Sequence, residues 1–171
     1  ALDLGADMIE FDVQLTRDDV AIVFHDETLE RTTNGSGRVG ETDFSTISRL
    51  DAGSWFGASF ADHEVPTLEE VLGLLAGRAM LNIELKPDAR VEQLVRRVVT
   101  AVARFEQFEA AIFSSFQVGA LRSLRRLVPD ARVGVLCQRG EIASALALAD
   151  ELGAVALHPA AAMVDTDLVL E

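Results

Sequence analysis

Residues Met8–Leu15, with the sequence MIEFDVQL, decide the fold because apolar and polar side chains alternate along them. In a β-strand every second side chain shares a face, so one face carries Ile9, Phe11, Val13 and Leu15, and the other carries Met8, Glu10, Asp12 and Gln14. Two carboxylates on one half-buried face repel each other, and a cation between them removes that cost. The stretch therefore indicates either a metal-binding strand or a solvent-facing strand edge with two ordinary acids.

The composition fits one globular domain that can bury a core. The chain has 171 residues, of which 49% are hydrophobic and 25% charged. Its net charge of -13 argues against nonspecific binding to nucleic acid or anionic lipid. We expect no stable membrane insertion, because no apolar run reaches the roughly 18 residues of a membrane span. The single Cys137 excludes an internal disulfide. We interpret the location as cytoplasmic, but a targeting signal cannot be judged because the sequence opens in the middle of a structural pattern.

Strands and helices alternate along most of the chain. The predicted strands are Met8–Leu15, Val20–Phe24, Met80–Lys86, Ala111–Ser115, Val133–Cys137 and Ala154–His158. The predicted helices are a short one near Ser45–Leu50, one that starts at a Thr67–Glu70 capping box, Val91–Phe105, Gln117–Val128, Glu141–Leu152 and a last one capped by Asp165. This alternation predicts an α/β fold with a parallel sheet and helical crossovers.

Polar residues on the inner faces of these strands favour a TIM (β/α)8 barrel over an open sheet. Helices cover both faces of an open parallel sheet, whereas the inner face of a barrel carries the active-site floor at the carboxyl ends of its strands. Six strands are visible where a barrel has eight, and a full barrel takes roughly 250 residues. The barrel is therefore expected to be incomplete here, with the first strand before Ala1 and the last strand after Glu171.

We interpret residues 1–171 as a single partial barrel domain, in which residues 26–66 form a small insertion between a strand and the next helix. A loop of this length inside a compact domain is typically functional or a small subdomain. Its aromatic residues Trp55, Phe56 and Phe60 could form a small core of its own or one wall of a binding cleft.

The inward-facing residues suggest a site for phosphoryl transfer. Glu10, Asp12 and Glu84 offer only oxygen ligands, which suit Mg²⁺ or Ca²⁺. Lys86, the only lysine among 15 basic residues, could hold an anionic group, and His25 could move a proton near neutral pH. Together these groups match the needs of phosphoryl transfer. The alternative is a structural ion-pair network of Lys86 with Glu84 and Glu10.

Several blocks of sequence, in this order, resemble the glycerophosphodiester phosphodiesterase family. They are Gly5–Thr16 (GADMIEFDVQLT), Val23–Asp26 (VFHD), Arg31–Gly35 (RTTNG), Leu50–Phe56 (LDAGSWF), Val65–Glu70 (VPTLEE), Asn82–Lys86 (NIELK) and Ser114–Phe116 (SSF). The resemblance implies a TIM barrel that hydrolyses glycerophosphodiesters to glycerol 3-phosphate and an alcohol with a divalent cation, as part of glycerol and lipid metabolism. The metal ligands would be Glu10, Asp12 and Glu84.

The resemblance also assigns the remaining roles. His25 would be the general acid that protonates the leaving alcohol, Lys86 would contact the phosphate, and Phe116 would line the glycerol side. The family's His-Arg-Gly motif and Glu-Asn-Thr run have no counterpart in these residues. In the family that motif supplies a second catalytic imidazole and a phosphate-binding arginine, so both are absent from residues 1–171. His63 lies in the long loop, and His158 is interpreted as lining the cleft rather than as a replacement base. We therefore expect residues 1–171 alone to show little or no activity towards glycerophosphocholine.

Three other functions remain open at this point. A related phospholipase D-like enzyme would act on sphingomyelin or lysophospholipid, although its extracellular habit usually brings disulfides. A noncatalytic barrel remnant would bind phosphodiesters or a partner protein. A carboxylate–lysine lyase of the enolase type uses similar residues but leaves the His25-Asp26 pair and the insertion unexplained. The expected partner is a small-molecule phosphodiester, and oligomers are possible because an incomplete barrel exposes strand edges.

Overall fold

The computed structural model describes residues 1–164 and consists of a six-stranded sheet with helices packed on one face. The strands are β1 (Met8–Leu15), β2 (Ala21–Val23), β3 (Met80–Leu85), β4 (Ala111–Ser115), β5 (Val133–Cys137) and β6 (Ala156–Pro159). The helices are α1 (Phe44–Ile47), α2 (Leu68–Leu75), α3 (Val91–Arg104), α4 (Val118–Leu127) and α5 (Ile142–Leu152). Short 3-10 turns cover Leu2–Leu4, Val39–Glu41, Ala58–Phe60, Phe108–Ala110 and Ala161–Met163.

The sheet has the order β2-β1-β3-β4-β5-β6. All neighbouring pairs are parallel except β1 and β2, which are antiparallel. Only residues 16–20 connect these two strands, and a connection that short can form a hairpin but not a parallel crossover. The predicted α/β class and the six strands are confirmed, and five of the six strands are parallel to one another.

The alternation predicted for β1 is confirmed. Phe11, Val13 and Leu15 are buried in the main core, together with Leu81, Ile83 and Leu85 of β3. Helices α2 to α5 complete this core from the same side of the sheet. Fully burying a leucine or valine side chain contributes about 1.5–3 kcal/mol, so this face fixes which way β1 and β3 turn their polar residues.

Helix α2 begins as the sequence predicts. The Thr67 side chain accepts a hydrogen bond from the Glu70 backbone, and the Glu70 carboxylate accepts one from the Thr67 backbone. This capping box satisfies two backbone donors at the helix start. The remaining boundaries differ from the predicted ones by a few residues at most, and the predicted helix at Asp165 lies outside the described residues.

The segment between β2 and α2 has a small hydrophobic core of its own. It contains Phe24, Leu29, Val39, Ile47 and Val65 of the segment, packed with Ile22 of β2. The aromatic residues Trp55, Phe56 and Phe60 are not part of this core and are all exposed. These aromatic residues therefore do not form a buried core. The alternative interpretation, that they form one wall of a binding cleft, remains. The division of the chain into a barrel and an insertion stays a prediction.

Among the residues that the structure describes, no helix is both long enough and apolar enough to cross a lipid bilayer.

Candidate active site

Three carboxylates meet where β1 and β3 run side by side. Asp12 and Glu84 are register partners in this parallel pair, and Glu10 lies two residues earlier on the same face of β1. One carboxylate oxygen from each of the three residues lies within 4.8 Å of the others. The strand alternation thus brings together the three acids that the sequence singles out.

The ammonium group of Lys86 lies against two of these acids. Its Nζ atom is 3.1 Å from Glu84 Oε1 and 3.2 Å from Asp12 Oδ1, and its side chain is only 17% exposed. The Lys86 backbone amide donates to the Val13 carbonyl, which continues the strand pairing past the end of β3. Burial by itself would lower the pKa of Lys86, but the hydrogen bonds and charges of the two carboxylates outweigh it and raise the pKa. Lys86 is therefore a stable cation in this site.

Glu10 carries the electrostatic cost of this arrangement. Desolvation on the inner face of the sheet, followed by the charges of Asp12 and Glu84, raises the pKa of Glu10 above its ordinary value. Lys86 and His25 oppose this shift without cancelling it. One ammonium group therefore leaves the three acids undercompensated, and a further positive charge among them would stabilise the ionised form of Glu10.

His25 follows β2 and reaches the same region from the neighbouring strand. The backbone amide of Phe24 donates to the Asp12 carbonyl at 3.0 Å. The Gln14 side-chain amide donates to the Phe24 carbonyl at 2.7 Å and to the Asp26 carbonyl at 2.8 Å. These three hydrogen bonds fix the backbone on both sides of His25 to β1, while the imidazole itself stays exposed.

Asp26 links the His25 imidazole to Arg31. Asp26 Oδ1 lies 2.6 Å from His25 Nδ1 and 2.8 Å from Arg31 Nη2, and Arg31 Nε donates to Asp26 Oδ2. The hydrogen bonds from Arg31 hold the pKa of Asp26 well below its usual range, despite partial burial. Asp26 is therefore an anion, and it accepts the proton of His25 Nδ1, which leaves Nε2 as the free ring nitrogen.

A cleft of about 410 Å³ lies beside several of these groups. Its lining includes Glu10, Asp12, His25, Arg31, Trp55 and Glu64. Trp55 packs edge-on against Phe56 at 5.6 Å between ring centroids, and Phe56 packs in the same way against Phe60 at 5.2 Å. Of these three rings Trp55 is the one that lines the cleft, so the segment between β2 and α2 contributes an aromatic side chain to its wall.

Phe116 and His158 lie at other strand ends. Phe116 follows β4, is 41% exposed and lines a separate cleft of about 490 Å³ beside α4 and α5. The structure therefore does not bring Phe116 into the cleft that holds His25. His158 of β6 lies over Gly134 of β5, where an added Cβ would come within 3.1 Å of the imidazole Nε2. Burial lowers the pKa of His158, and the charge of Glu84 opposes this shift.

Two buried polar atoms flank the acids. Asn82 Oδ1 and Ser114 Oγ have no hydrogen-bond partner within residues 1–164. Asn82 is the register partner of Glu10, and Ser114 is the register partner of Glu84. Buried polar atoms without a partner are uncommon in folded proteins, so this floor offers additional hydrogen-bonding capacity beside the carboxylates.

Sequence reasoning did not assign a role to Gln14, Asp26 or Arg31. A signal existed for Gln14, because it continues the polar face of β1 and is only 9% exposed. Asp26 was noted only as the neighbour of His25, and Arg31 only as part of the RTTNG block. The contact between Arg31 and Asp26 spans a turn-rich segment without periodicity, so spacing alone could not indicate it.

Comparisons with known proteins point to one family. The model of the glycerophosphoryl diester phosphodiesterase family matches residues 1–171. A glycerophosphodiester phosphodiesterase of Caldanaerobacter subterraneus is 39% identical over 161 residues, which cover 93% of this chain and 66% of that protein. A putative glycerophosphodiester phosphodiesterase of Bacillus subtilis is 38% identical over 136 residues, which cover 80% of this chain and 56% of that protein. The chain thus spans between about half and two thirds of the length of these relatives.

Solved structures give the same picture. A phosphodiesterase of Oleispira antarctica, solved in complex with the product sn-glycerol-3-phosphate, superposes with a TM-score of 0.93 at 29% identity, covering 99% of this chain and 70% of that one. A glycerophosphodiester phosphodiesterase of Agrobacterium tumefaciens superposes with a TM-score of 0.72 at 28% identity, covering 92% of this chain and 85% of that one. The mainly parallel sheet with its helices matches these TIM-barrel structures, and within residues 1–164 the sheet is open between β2 and β6.

Proposed function

The chain belongs to the glycerophosphoryl diester phosphodiesterase family, and on this premise we propose that the protein as its gene encodes it hydrolyses glycerophosphodiesters to glycerol 3-phosphate and an alcohol with the help of a divalent cation. The observation that carries the proposal is the convergence of three carboxylates and one ammonium group at the carboxyl ends of β1 and β3. The product sn-glycerol-3-phosphate bound to the Oleispira antarctica neighbour supports the substrate class.

The donor set fits a hard divalent cation. Glu10, Asp12 and Glu84 offer only oxygen atoms, and these lie within 4.8 Å of one another. Ca²⁺ binds oxygen at 2.3–2.6 Å and Mg²⁺ at 2.0–2.1 Å, so two ligands on opposite sides of one ion lie no more than about 5 Å apart. The raised pKa of Glu10 is consistent with a site that lacks positive charge. When bound, the cation would polarise the phosphodiester and offset charge that develops during its cleavage.

Lys86 binds one of the non-bridging oxygens of the phosphodiester. Its pKa is raised, so it remains an ammonium group at neutral pH. Its contacts with Asp12 and Glu84 orient the ammonium group towards the space among the three acids. Because two carboxylates share this contact, neither of them alone neutralises the charge of Lys86. A fixed donor at this position stabilises negative charge on the phosphoryl oxygens, which is the main requirement of phosphoryl transfer.

His25 gives a proton to the alcohol that leaves. Its Nδ1 is engaged by Asp26, so Nε2 is the nitrogen that carries the transferable proton. His25 and the acids Glu10 and Asp12 line the same cleft, so the bond to the leaving alcohol can lie beside the imidazole while the phosphate lies beside the acids. General acid catalysis by a positioned side chain contributes about 10²–10⁴-fold.

Paired histidine substitutions in the protein as its gene encodes it test the proposal. The substrate is glycerophosphocholine, assayed with Mg²⁺, with Ca²⁺ and with EDTA. We expect hydrolysis that EDTA abolishes, and a loss of about 10²–10⁴-fold in kcat for His25→Ala. His63→Ala is the matched control, because His63 is exposed in the same segment and its imidazole contacts the Phe60 carbonyl instead of a carboxylate. Its kcat should equal that of the wild type.

The opposite results would overturn the proposal. Tight binding of glycerophosphocholine without turnover would favour the noncatalytic barrel. Turnover of lysophospholipid or sphingomyelin in preference to glycerophosphocholine would favour the phospholipase D-like enzyme. Equal rates for His25→Ala and His63→Ala would remove His25 from the acid role. Calorimetric titration of Glu10→Gln and the wild type with each ion would determine whether Mg²⁺ or Ca²⁺ binds.

A further inference from the structure

Resting on the function proposed above, we infer that Arg31 is a positioning residue that fixes the orientation of the His25 imidazole through Asp26, so that the segment between β2 and α2 controls proton delivery to the leaving alcohol. Arg31 touches neither the three acids nor the phosphate-binding Lys86 in this arrangement. It acts through one intermediate side chain.

The first support is the geometry of Asp26. Both of its oxygens are engaged by Arg31, because Nε donates to Oδ2 and Nη2 donates to Oδ1 at 2.8 Å. The planar guanidinium binds a carboxylate through two parallel hydrogen bonds, which fixes the carboxylate plane and not only its position. Since Oδ1 also lies 2.6 Å from His25 Nδ1, the plane of Asp26 sets the direction from which the imidazole is held.

The second support is the exposure of His25. Its side chain is 65% exposed, whereas that of Asp26 is only 19% exposed. Packing therefore does little to hold the imidazole, and the hydrogen bond to Asp26 is its only side-chain partner among the described residues. A general acid must keep its proton within hydrogen-bond reach of the leaving oxygen, and a displacement of about 1 Å can cost about 10²-fold in rate. The restraint on His25 must come from Asp26 and the group that holds Asp26.

The third support is the way in which Arg31 itself is held. Its guanidinium carbon lies 6.0 Å from the centroid of the Trp55 ring, within the range of a cation–π contact. Trp55 is in turn anchored by its indole N–H, which donates to the Ala52 carbonyl at 2.8 Å. The early and late parts of the segment thus meet at Arg31, and both act on one carboxylate. Neither Arg31 nor Trp55 belongs to the small hydrophobic core, so the packing of that core does not explain their contact.

The chemistry gives a test that separates positioning from folding. In the hydrolysis of glycerophosphocholine a water oxygen forms the new bond to phosphorus, and the bond between phosphorus and the choline oxygen breaks. The water releases a proton to solvent, and His25 gives a proton to the choline oxygen as it leaves. Hydrolysis of the p-nitrophenyl ester of glycerol phosphate releases p-nitrophenolate, which leaves as a stable anion without a proton. A defect in proton delivery therefore slows the first reaction and spares the second, whereas a defect in folding or phosphate binding slows both.

The experiment compares Arg31→Met, Arg31→Lys and wild type on both substrates in the protein as encoded. We expect Arg31→Met to lower kcat on glycerophosphocholine by about 10–10²-fold and to change kcat on the p-nitrophenyl ester by less than about threefold. Arg31→Lys should recover only part of the loss, because it restores the charge but not the two parallel hydrogen bonds. Arg38→Met is the matched control: Arg38 lies in the same segment and pairs with Glu27 at 2.8 Å instead of Asp26. It should behave as wild type on both substrates.

Failure of this inference differs from failure of the proposed function. An equal loss on both substrates, full recovery by Arg31→Lys, or no loss in Arg31→Met would overturn the role of Arg31. If His25→Ala also slowed both substrates equally, the acid role of His25 itself would be overturned. Arg31→Gln, assayed on both substrates as a second variant, guards against misfolding of Arg31→Met. Melting curves that show both variants folded, with the same loss on glycerophosphocholine alone, would support the inference.

Discussion

Replacing Lys86 by methionine tests the site through stability and catalysis together. Lys86 Nζ contacts Glu84 at 3.1 Å and Asp12 at 3.2 Å, and the two carboxylates are only 12% and 14% exposed. Removing one partner of a buried ion pair costs about 3–5 kcal/mol, and an exposed pair contributes about 0–1 kcal/mol. With its side chain 17% exposed, Lys86 lies nearer the first case. We expect a loss of about 2–3 kcal/mol in EDTA, which corresponds to a Tm lower by about 4–12 °C.

Divalent cation should restore this stability but not the activity. In Lys86→Met the three acids lose their only ammonium partner, so Mg²⁺ or Ca²⁺ gains more by binding there than in the wild type. A ligand present at about 100 times its Kd stabilises a protein by about 2.7 kcal/mol, enough to offset the expected loss. The phosphodiester still lacks its ammonium contact, so kcat/KM should stay about 10²–10³-fold below the wild type at saturating metal.

Two melting curves and one rate measurement for each protein test the assignment of Lys86. Differential scanning fluorimetry with EDTA and with saturating Mg²⁺ or Ca²⁺ gives the metal-induced rise in Tm, which should be larger in Lys86→Met than in the wild type. Arg122→Met is the control, because Arg122 forms an exposed ion pair with Glu151 away from the acids. An equal or smaller rise in Lys86→Met, or a kcat/KM within threefold of the wild type at saturating metal, would refute the assignment of Lys86.

Three further outcomes are expected. Thr67→Ala should destabilise the protein by about 1 kcal/mol in urea unfolding at pH 7, and by less in acid. The hydrogen bonds with Thr67 lower the pKa of Glu70, so its capping contribution is present above its ordinary pKa and is lost as the pH falls through the lowered value. Gly53→Ala should cost about 1–3 kcal/mol or more in the same assay, since the added Cβ would lie 1.7 Å from a backbone oxygen, whereas Gly57→Ala, with a nearest contact at 3.7 Å, should cost far less. Glu10→Gln should weaken Mg²⁺ or Ca²⁺ binding in a calorimetric titration while raising Tm in EDTA, because the charge that the neighbouring acids repel is gone.

Much of the site could be predicted because β-strand geometry is simple. Once Phe11, Val13 and Leu15 are assigned to the core, the positions of Glu10 and Asp12 follow from the period of two. The same reasoning applied to β3 places Glu84 and Lys86. Only the pairing of β1 with β3 was still needed, and a parallel sheet supplies it because the carboxyl ends of its strands meet at one edge.

The rest depends on contacts that have no period. Residues 24–66 contain one short α-helix and two 3-10 turns, so the meeting of Arg31 with Asp26 and with Trp55 depends on how turns bring distant residues together. The role of Phe116 at the glycerol side stays a prediction, because it rests on a short block beside a strand end and not on a periodic pattern. The structure gives Phe116 a different cleft from that of His25. The strand ends lie at one edge of the sheet, but the positions of the side chains that come after them depend on the conformation of the loops.

The two kinds of structure are joined at Asp12 and Gln14. The Asp12 carboxylate belongs to the acid cluster, while its backbone carbonyl accepts from the Phe24 amide at the end of β2. Gln14 adds two side-chain hydrogen bonds to carbonyls on either side of His25. The backbone of His25 is therefore placed by the rigid sheet, and its imidazole is oriented by the segment that follows. Because these restraints are separate, changes in that segment can alter how the imidazole points without moving the acids.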